Sequence, residues 1–403
     1  MAEIQYLLWL STCPGLPPRS QVALLRYFGT AERVYYAEGE ELTAFSLPEK
    51  AVSALRDKSL ERAERILERC DRLGLFLLTC RDGTYPERLL QLEDYPLVLY
   101  GRGRPVRFDE EAAIAVVGSR ACSPYGVKMA GRFGFGLARA GALVVSGLAQ
   151  GIDAAALKGA LQGGGAPVSV LAGGVDVIYP RQNDWLYQDV AARGTILSEN
   201  PPGTRPDGWR FPLRNRILSG LSLGTLVVEA GERSGALITA HAALDQSREV
   251  YAVPGPIDAP MSAGTNWLIS RGEARLVNSA WDILWEYESR FSHKLRHPNL
   301  VTQEEADQRL EAAPTPPPEP EPRAKEEGLP VLPRTQLDQM GEEQREIFLL
   351  LAEKARTADD LVGETEIPAR RVNTALTLMQ TMGYLKELPG RRFAAAVRFE
   401  EQG

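Results

Sequence analysis

Four short turns in this chain carry residues suited to holding phosphate groups. They are Gly118-Ser119-Arg120, the stretch Ser146-Gly147-Leu148-Ala149-Gln150-Gly151-Ile152-Asp153, Ala172-Gly173-Gly174, and Ser234-Gly235 just beyond Glu229-Ala230. Glycine lets a backbone approach an anion closely and turn with positive φ, and Ser119, Ser146 and Ser234 add hydroxyl donors. One such turn alone is an ordinary strand-to-helix connection; four together form a pattern. Arginines sharpen it. Arg120 closes the first turn, and Phe211-Pro212-Leu213-Arg214-Asn215-Arg216 opens a helix in which Pro212 suits the first turn. Arg214 and Arg216 then stand near a helix N-terminus, where the macrodipole favours acids, which points to an anionic partner. Several separated phosphate-sized subsites with arginines suit a polyanionic strand better than one nucleotide.

The turns need a scaffold that brings them to one edge. From about Leu75 to Tyr287, short apolar runs alternate with helical stretches: Ile114–Val117, Leu143–Val145, Val168–Leu171, Thr195–Leu197, Leu226–Val228 and Val250–Val253. Each is β-rich, apolar on both faces and followed by a turn and then a helix. This predicts an α/β domain with a doubly wound, mostly parallel, Rossmann-like sheet. Ligands of such sheets collect at the carboxyl ends of the strands, where all four turns would lie. Neither a dinucleotide-type nor a P-loop glycine motif follows a strand, so NAD and ATP are not indicated and no cofactor is expected. Gly131-Arg132-Phe133-Gly134-Phe135-Gly136 falls within a helix and predicts close helix packing.

Residues 1–73 read as a helical domain broken by Cys13-Pro14-Gly15-Leu16-Pro17. A helix, a Pro-Gly hairpin and a second helix resemble a helix-hairpin-helix or sterile-alpha-motif-like (SAM) unit. Such hairpins offer N–H groups to phosphates, but Arg19 is the only cation flanking this one, and a plain packing domain fits as well. Residues 74–288 form the Rossmann-like domain. Residues 289–335, with Pro314-Thr315-Pro316-Pro317-Pro318-Glu319-Pro320 at their centre, read as a disordered, charged linker. Residues 336–403 predict three helices and a β-hairpin, a winged helix with Arg370, Arg371, Asn373 and Thr374 early in its recognition helix. DNA and protein are equally good partners for it.

Composition narrows the chemistry. Three histidines and four scattered cysteines make a His/Cys metal site or a histidine-based triad improbable. The expected state of the cysteines is free thiol in a reducing compartment. No apolar run reaches membrane-spanning length and Met1–Leu10 lacks a basic region, so a cytoplasmic protein is expected. The net charge of -7 argues against a uniformly basic nucleic-acid binder. Acids crowd the segment Gln303–Glu346, however, so DNA binding has to rest on a local patch.

The same turns, read in order, resemble the DprA/Smf family. The matching residues are Val117-Gly118-Ser119-Arg120, Ser146-Gly147-Leu148-Ala149, Gly151-Ile152-Asp153, Tyr179-Pro180, Ser198-Glu199 and Phe211-Pro212 with Arg214-Asn215-Arg216-Ile217-Leu218. They continue with Gly220-Leu221, Val228-Glu229-Ala230, Ser234–Ala240, Pro254-Gly255 and Gly264–Ile269. The resemblance implies a non-enzymatic, dimeric protein that binds single-stranded DNA. It would protect DNA taken up in natural transformation and help load the RecA recombinase, with the dimer contact between Ser234 and Ile269. It also implies a DNA site at Gly118, Ser119, Arg120, Ser146, Gly147, Gln150, Gly151, Asp153, Gly173, Gly174, Arg214, Asn215, Arg216, Ser234 and Gly235. Two positions depart from the family pattern: Gln150 replaces a basic residue and Leu157 a histidine, with Lys158 placed to compensate. The alternatives are a Rossmann-like phosphoribohydrolase using Glu229, or a nucleotide-binding adaptor.

Overall fold

The computed structural model describes residues 2–38, 41–42, 44–297, 329–365, 367–388 and 392–400. They fall into two units, Met1–Thr302 and Gln303–Gly403, each described by itself. Most of the Pro/Glu-rich stretch expected to be disordered lies outside the described residues.

Ala113–Val117 (β3) is apolar at every position because it is buried on both faces. Ile114 and Val116 join one core with Phe133, Leu137 and Tyr251. Ala113 and Val117 join another with Val145, Leu157 and Leu197. Around β3 run β4 (Leu143–Ser146), β5 (Val168–Val170), β6 (Thr195–Ser198), β7 (Gly224–Val227) and β8 (Glu249–Ala252). The six expected strands are all present and mutually parallel, in the order β6-β5-β4-β3-β7-β8. The chain progresses one way from β3 to β6 and the other way from β7, so the topological switch point falls between β3 and β7.

Three strands were not expected. Phe76–Thr79 (β1) and Val98–Gly103 (β2) extend the sheet antiparallel beyond β6, and Arg275–Leu276 (β9) extends it parallel beyond β8. The helical hairpin is also present, as Ala2–Ser11 and Pro18–Phe28. The Gln21 amide donates to the carbonyls of Ser11 and Leu16, and the N–H groups of Cys13 and Leu16 bond within the turn. Arg19 is paired with Glu93 at 2.6 Å. Leu7, Leu8 and Leu10 share a continuous core with the sheet residues Leu99 and Tyr100, so this hairpin packs as part of the larger body.

The glycine-rich helix Pro124–Arg139 lies against Ile152–Gln162 at backbone contact. A Cβ added at Gly134 would stand 2.1 Å from the Ala156 carbonyl oxygen, and one at Gly159 2.2 Å from that of Gly131. The expected linker is shorter than the sequence suggests at both ends. Phe291 and Leu295 are buried in the first unit, and the Arg296 N–H donates to the Ala140 carbonyl. Val331–Leu332 pairs with Arg398–Phe399 in the second unit. That unit holds helices Glu342–Glu353, Ala358–Thr365 and Ala369–Thr381 over a core of Ile347, Phe348, Leu361, Val372 and Met379. Leu385–Leu388 and Arg392–Ala395 pair antiparallel beside them. Among the described residues no helix is long and apolar enough to cross a membrane.

Gly134→Ala is expected to destabilise the protein by about 1–3 kcal/mol, because the clash is with backbone and two helices must separate. Gly83→Ala, at an exposed position with open space around it, is the control. Chemical denaturation of both variants checks this.

Candidate nucleic-acid interface

The turns after β3 and β7 face each other across a cleft of about 400 Å³ at the switch point. Gly118, Ser119 and Arg120 form one wall, and Ser234, Gly235 and Thr239 the opposite one. The first turn of helix Arg210–Gly220 closes the side with Phe211, Arg214 and Asn215. The Ser119 N–H donates to the Glu229 carbonyl at 2.8 Å, and the Ser119 and Ser234 hydroxyls lie 3.4 Å apart. Ser234 also caps helix Gly235–Asp245 by accepting from the Ala236 N–H. The helix end therefore points its partial positive charge at the cleft.

The turn after β4 crosses above the first one. Gly151 adopts φ 78°, and a Cβ there would lie 2.4 Å from the Ser119 carbonyl oxygen. Only glycine fits this crossing. Leu148 is also left-handed at φ 57°, and the Asn183 amide holds the turn by donating to the Leu148 and Ala149 carbonyls.

Beneath it lies Arg214, which is 5% exposed. Its guanidinium donates to the carbonyls of Gly147 and Val170 and to the Asn215 side chain. Asp153 accepts from the Gly147 N–H at 3.1 Å, so acid and base grip the two polar ends of one residue. Burial pushes the Asp153 carboxyl above its usual range, against the pull of Arg214. Burial likewise draws Arg214 down to about 10, against the pull of Asp153. The pair is a strut rather than an open ligand site.

Arg216 differs from what its place in the sequence suggests. Two residues along a helix is a rotation of about 200°, so Arg214 and Arg216 cannot face one cleft. Arg216 is buried on the far side, 2.6 Å from Glu199 and 3.0 Å from Asp94. The Ser146 hydroxyl is spent on the Val116 carbonyl. Gly173 and Gly174 are covered by the segment 201–206, the Gly174 N–H donating to the Thr204 carbonyl. Gln150 is exposed in the turn after β4 and Lys158 midway along helix Ile152–Gln162, over the Trp185 ring at 5.9 Å, and neither lines the cleft. The cleft thus gathers Gly118, Ser119, Arg120, Asp153, Arg214, Asn215, Ser234 and Gly235; Gly147, Gln150 and Gly151 belong to the turn that crosses above it, and Ser146, Lys158, Gly173, Gly174 and Arg216 lie outside it.

Aromatic rings complete the rim, and the glycine-and-arginine pattern alone misses them. The Arg120 guanidinium lies over Phe211 at 4.6 Å, and Tyr179 meets the same ring edge-on at 5.8 Å. Trp209 is 58% exposed with Arg210 stacked on it at 4.1 Å. The signal was available as aromatics interleaved with cations in polar stretches. Glu229, the residue an enzymatic reading requires, is 2% exposed, and its carboxylate accepts from the Ser123 N–H and hydroxyl.

Residues 76–288 match the family model for DNA recombination-mediator protein A. The chain belongs to that family. It is 39% identical to the DNA processing protein DprA of Bacillus subtilis (strain 168), over 56% of this chain and 76% of the relative. To the DNA processing protein DprA of Streptococcus pneumoniae (strain R6) it is 43% identical, over 51% of this chain and 72% of the relative. The X-ray structure of DprA from Streptococcus pneumoniae superposes with a TM-score of 0.60 at 34% identity, covering 70% of this chain and 97% of that one.

Arg214→Ala would leave two buried carbonyls without their donor and the buried Asp153 carboxyl without the cation beside it. Stability is expected to fall by about 3–5 kcal/mol, and Arg214→Lys to recover only part, because one ammonium cannot reproduce the fork. Urea unfolding followed by tryptophan fluorescence measures both.

Proposed function

We propose that the chain binds single-stranded DNA in the switch-point cleft and serves as a recombination mediator rather than an enzyme. In this reading it works in the cytoplasm, protects incoming strands and helps load a RecA-class recombinase. The observation that carries it is the pairing of Arg120 with the half-exposed Phe211 ring beside two glycine turns and a helix N-terminus. An aromatic face receives a base, the guanidinium and N–H groups receive the adjoining phosphates, and none of these contacts reads sequence. The acids close by do not oppose it: Asp153 is bonded to the Gly147 N–H beside Arg214, and Glu229 to Ser123.

The membership in a recombination-mediator family supports the same reading, as does the use of Glu229 as a structural brace. A homodimer through residues 234–269 is part of the proposal. Ile238 and Trp267 are 49% and 43% exposed there, a pairing of large apolar side chains suited to burial by a second copy. Ile238 also borders the cleft, so a partner seated on it would extend the DNA path. The second unit, read as a winged helix, presents Arg370, Asn373 and Thr374 on an exposed helix face. Arg371 of that helix is already paired with Glu343 at 2.9 Å.

Arg120→Ala is expected to weaken oligo-dT binding roughly tenfold and to lower the slope of log K against log salt by about 0.7, one lost single-strand phosphate contact. Gln150→Arg should tighten binding and steepen that slope by a similar amount. Fluorescence anisotropy across a salt series measures both. Unchanged affinity and slope in both variants would remove the cleft from the binding site.

A further inference from the structure

Helix Glu61–Arg72 carries two stripes of charge. Arg62, Arg65, Arg69 and Arg72 recur at spacings of three, four and three, and Glu61, Glu64, Glu68 and Asp71 do the same one residue earlier. At about 100° per residue, each series forms its own line along the helix. The arginine line lies between the acids and the buried face made by Ala63, Ile66 and Cys70, so it follows the seam where the helix meets the body. From Arg62 to Arg72 it extends about 15 Å at about 1.5 Å rise per residue.

Along that seam is an open concavity of about 830 Å³, bordered by the four arginines, Glu68 and Pro202. Arg69 is its fixed member. It donates to Asp176 at 2.7 Å, and Asp176 in turn accepts from the Gly203 N–H at 2.6 Å, which ties the helix to the segment after β6. Arg62, Arg65 and Arg72 are exposed, and among the described residues none of them has a carboxylate within 4.0 Å. Four guanidinium groups thus border one hollow with a single carboxylate, Glu68, while Asp176 holds Arg69 from outside it. Acids four residues before an arginine can pair with it along a helix face. Here Glu61 and Glu68 stand four residues before Arg65 and Arg72, yet Arg62, Arg65 and Arg72 make no ion pair among the described residues, and Arg65 donates only to the Glu61 carbonyl, at 3.3 Å.

One stretch of chain joins the border of the hollow to the wall of the cleft. The segment that holds Arg69 through Gly203 runs on through the exposed Arg205 and the Trp209–Arg210 stack to Phe211 on the cleft wall. Along that stretch a strand leaving the cleft past Phe211 would meet the Trp209–Arg210 stack and Arg205 before the row of arginines. That order, aromatic faces followed by guanidinium forks, suits a polynucleotide backbone.

We infer that the Arg62–Arg72 stripe is a second subsite for the sugar–phosphate backbone of the same single strand. The inference rests on the single-strand reading of the cleft. It makes the helical N-terminal region a part of the binding surface, through a helix face and not through its Pro-Gly hairpin.

The test uses the full chain and labelled oligo-dT of roughly 6 and roughly 30 nucleotides, bracketing the site sizes of single-strand binders. The triple variant Arg62→Ala/Arg65→Ala/Arg72→Ala is expected to bind the short strand like wild type and the long one roughly tenfold more weakly. Its salt slope on the long strand should fall by about 2, at about 0.7 for each lost contact. The matching triple lysine variant should restore most of that slope, which separates loss of charge from loss of fold. Wild-type affinity of the triple alanine variant for the long strand would overturn the subsite, and so would equal loss on both lengths. Retention of a poly-glutamate peptide by wild type but not by the variant, with DNA binding unchanged, would overturn it in favour of an acidic protein partner. Arg120→Ala in parallel reports on the cleft separately: if it changes neither length, the cleft reading fails whatever the stripe does.

Discussion

The geometry of the cleft depends on one buried arginine. Arg214 reaches under the turn after β4 and holds the carbonyls of Gly147 and Val170, while Asp153 holds the Gly147 N–H. A guanidinium this deeply buried costs free energy unless its donors are satisfied. Here they are met by main-chain oxygens at the ends of β4 and β5, so the strut locks the height of the turn above the sheet. With that turn fixed, Gly151 can pass over Ser119 at backbone contact and leave Arg120 free to lie against Phe211. The exposed groups on the rim are thus placed by a hydrogen-bonded base.

The same division is how, in the proposed function, a chain of net charge -7 would hold a polyanion. Binding charge is not spread over the surface. In the cleft it sits where the chain reverses direction across the sheet, and the acids beside it are already engaged: Glu229 by Ser123 and Asp153 by the Gly147 N–H. Arg120 and the N-terminus of helix Gly235–Asp245 are left to face an anion there.

Much of this was legible in the sequence because parallel strands buried on both faces leave an unmistakable apolar signature. The runs around Ile114, Val144, Val168, Ile196, Leu226 and Val250 are all strands. The edge strands β1, β2 and β9 were not legible: β9 has two residues, and Gly101 and Gly103 break the apolar run of β2. Gly118, Gly151 and Ser234 could be located from turn chemistry, since each lies in the connection between a strand and the helix that follows it. Gly173 and Gly174 could not be told apart from them, because what closes their turn is the segment 201–206, distant in sequence. Arg216 is the instructive case. Composition and helix position made it a ligand candidate, whereas its angular separation from Arg214 already required one of the two to point elsewhere. The aromatic rim was overlooked because Tyr179, Trp209 and Phe211 gain meaning only once cations from other turns stack on them.

The central claim, that a single strand lies across the switch point, is tested most directly by amide hydrogen exchange with and without saturating oligo-dT. The account predicts new protection in the turns at 118–120, 147–151 and 234–236 and in the first turn of helix Arg210–Gly220. Protection confined to residues 329–400, with those turns exchanging as in the free protein, would contradict it.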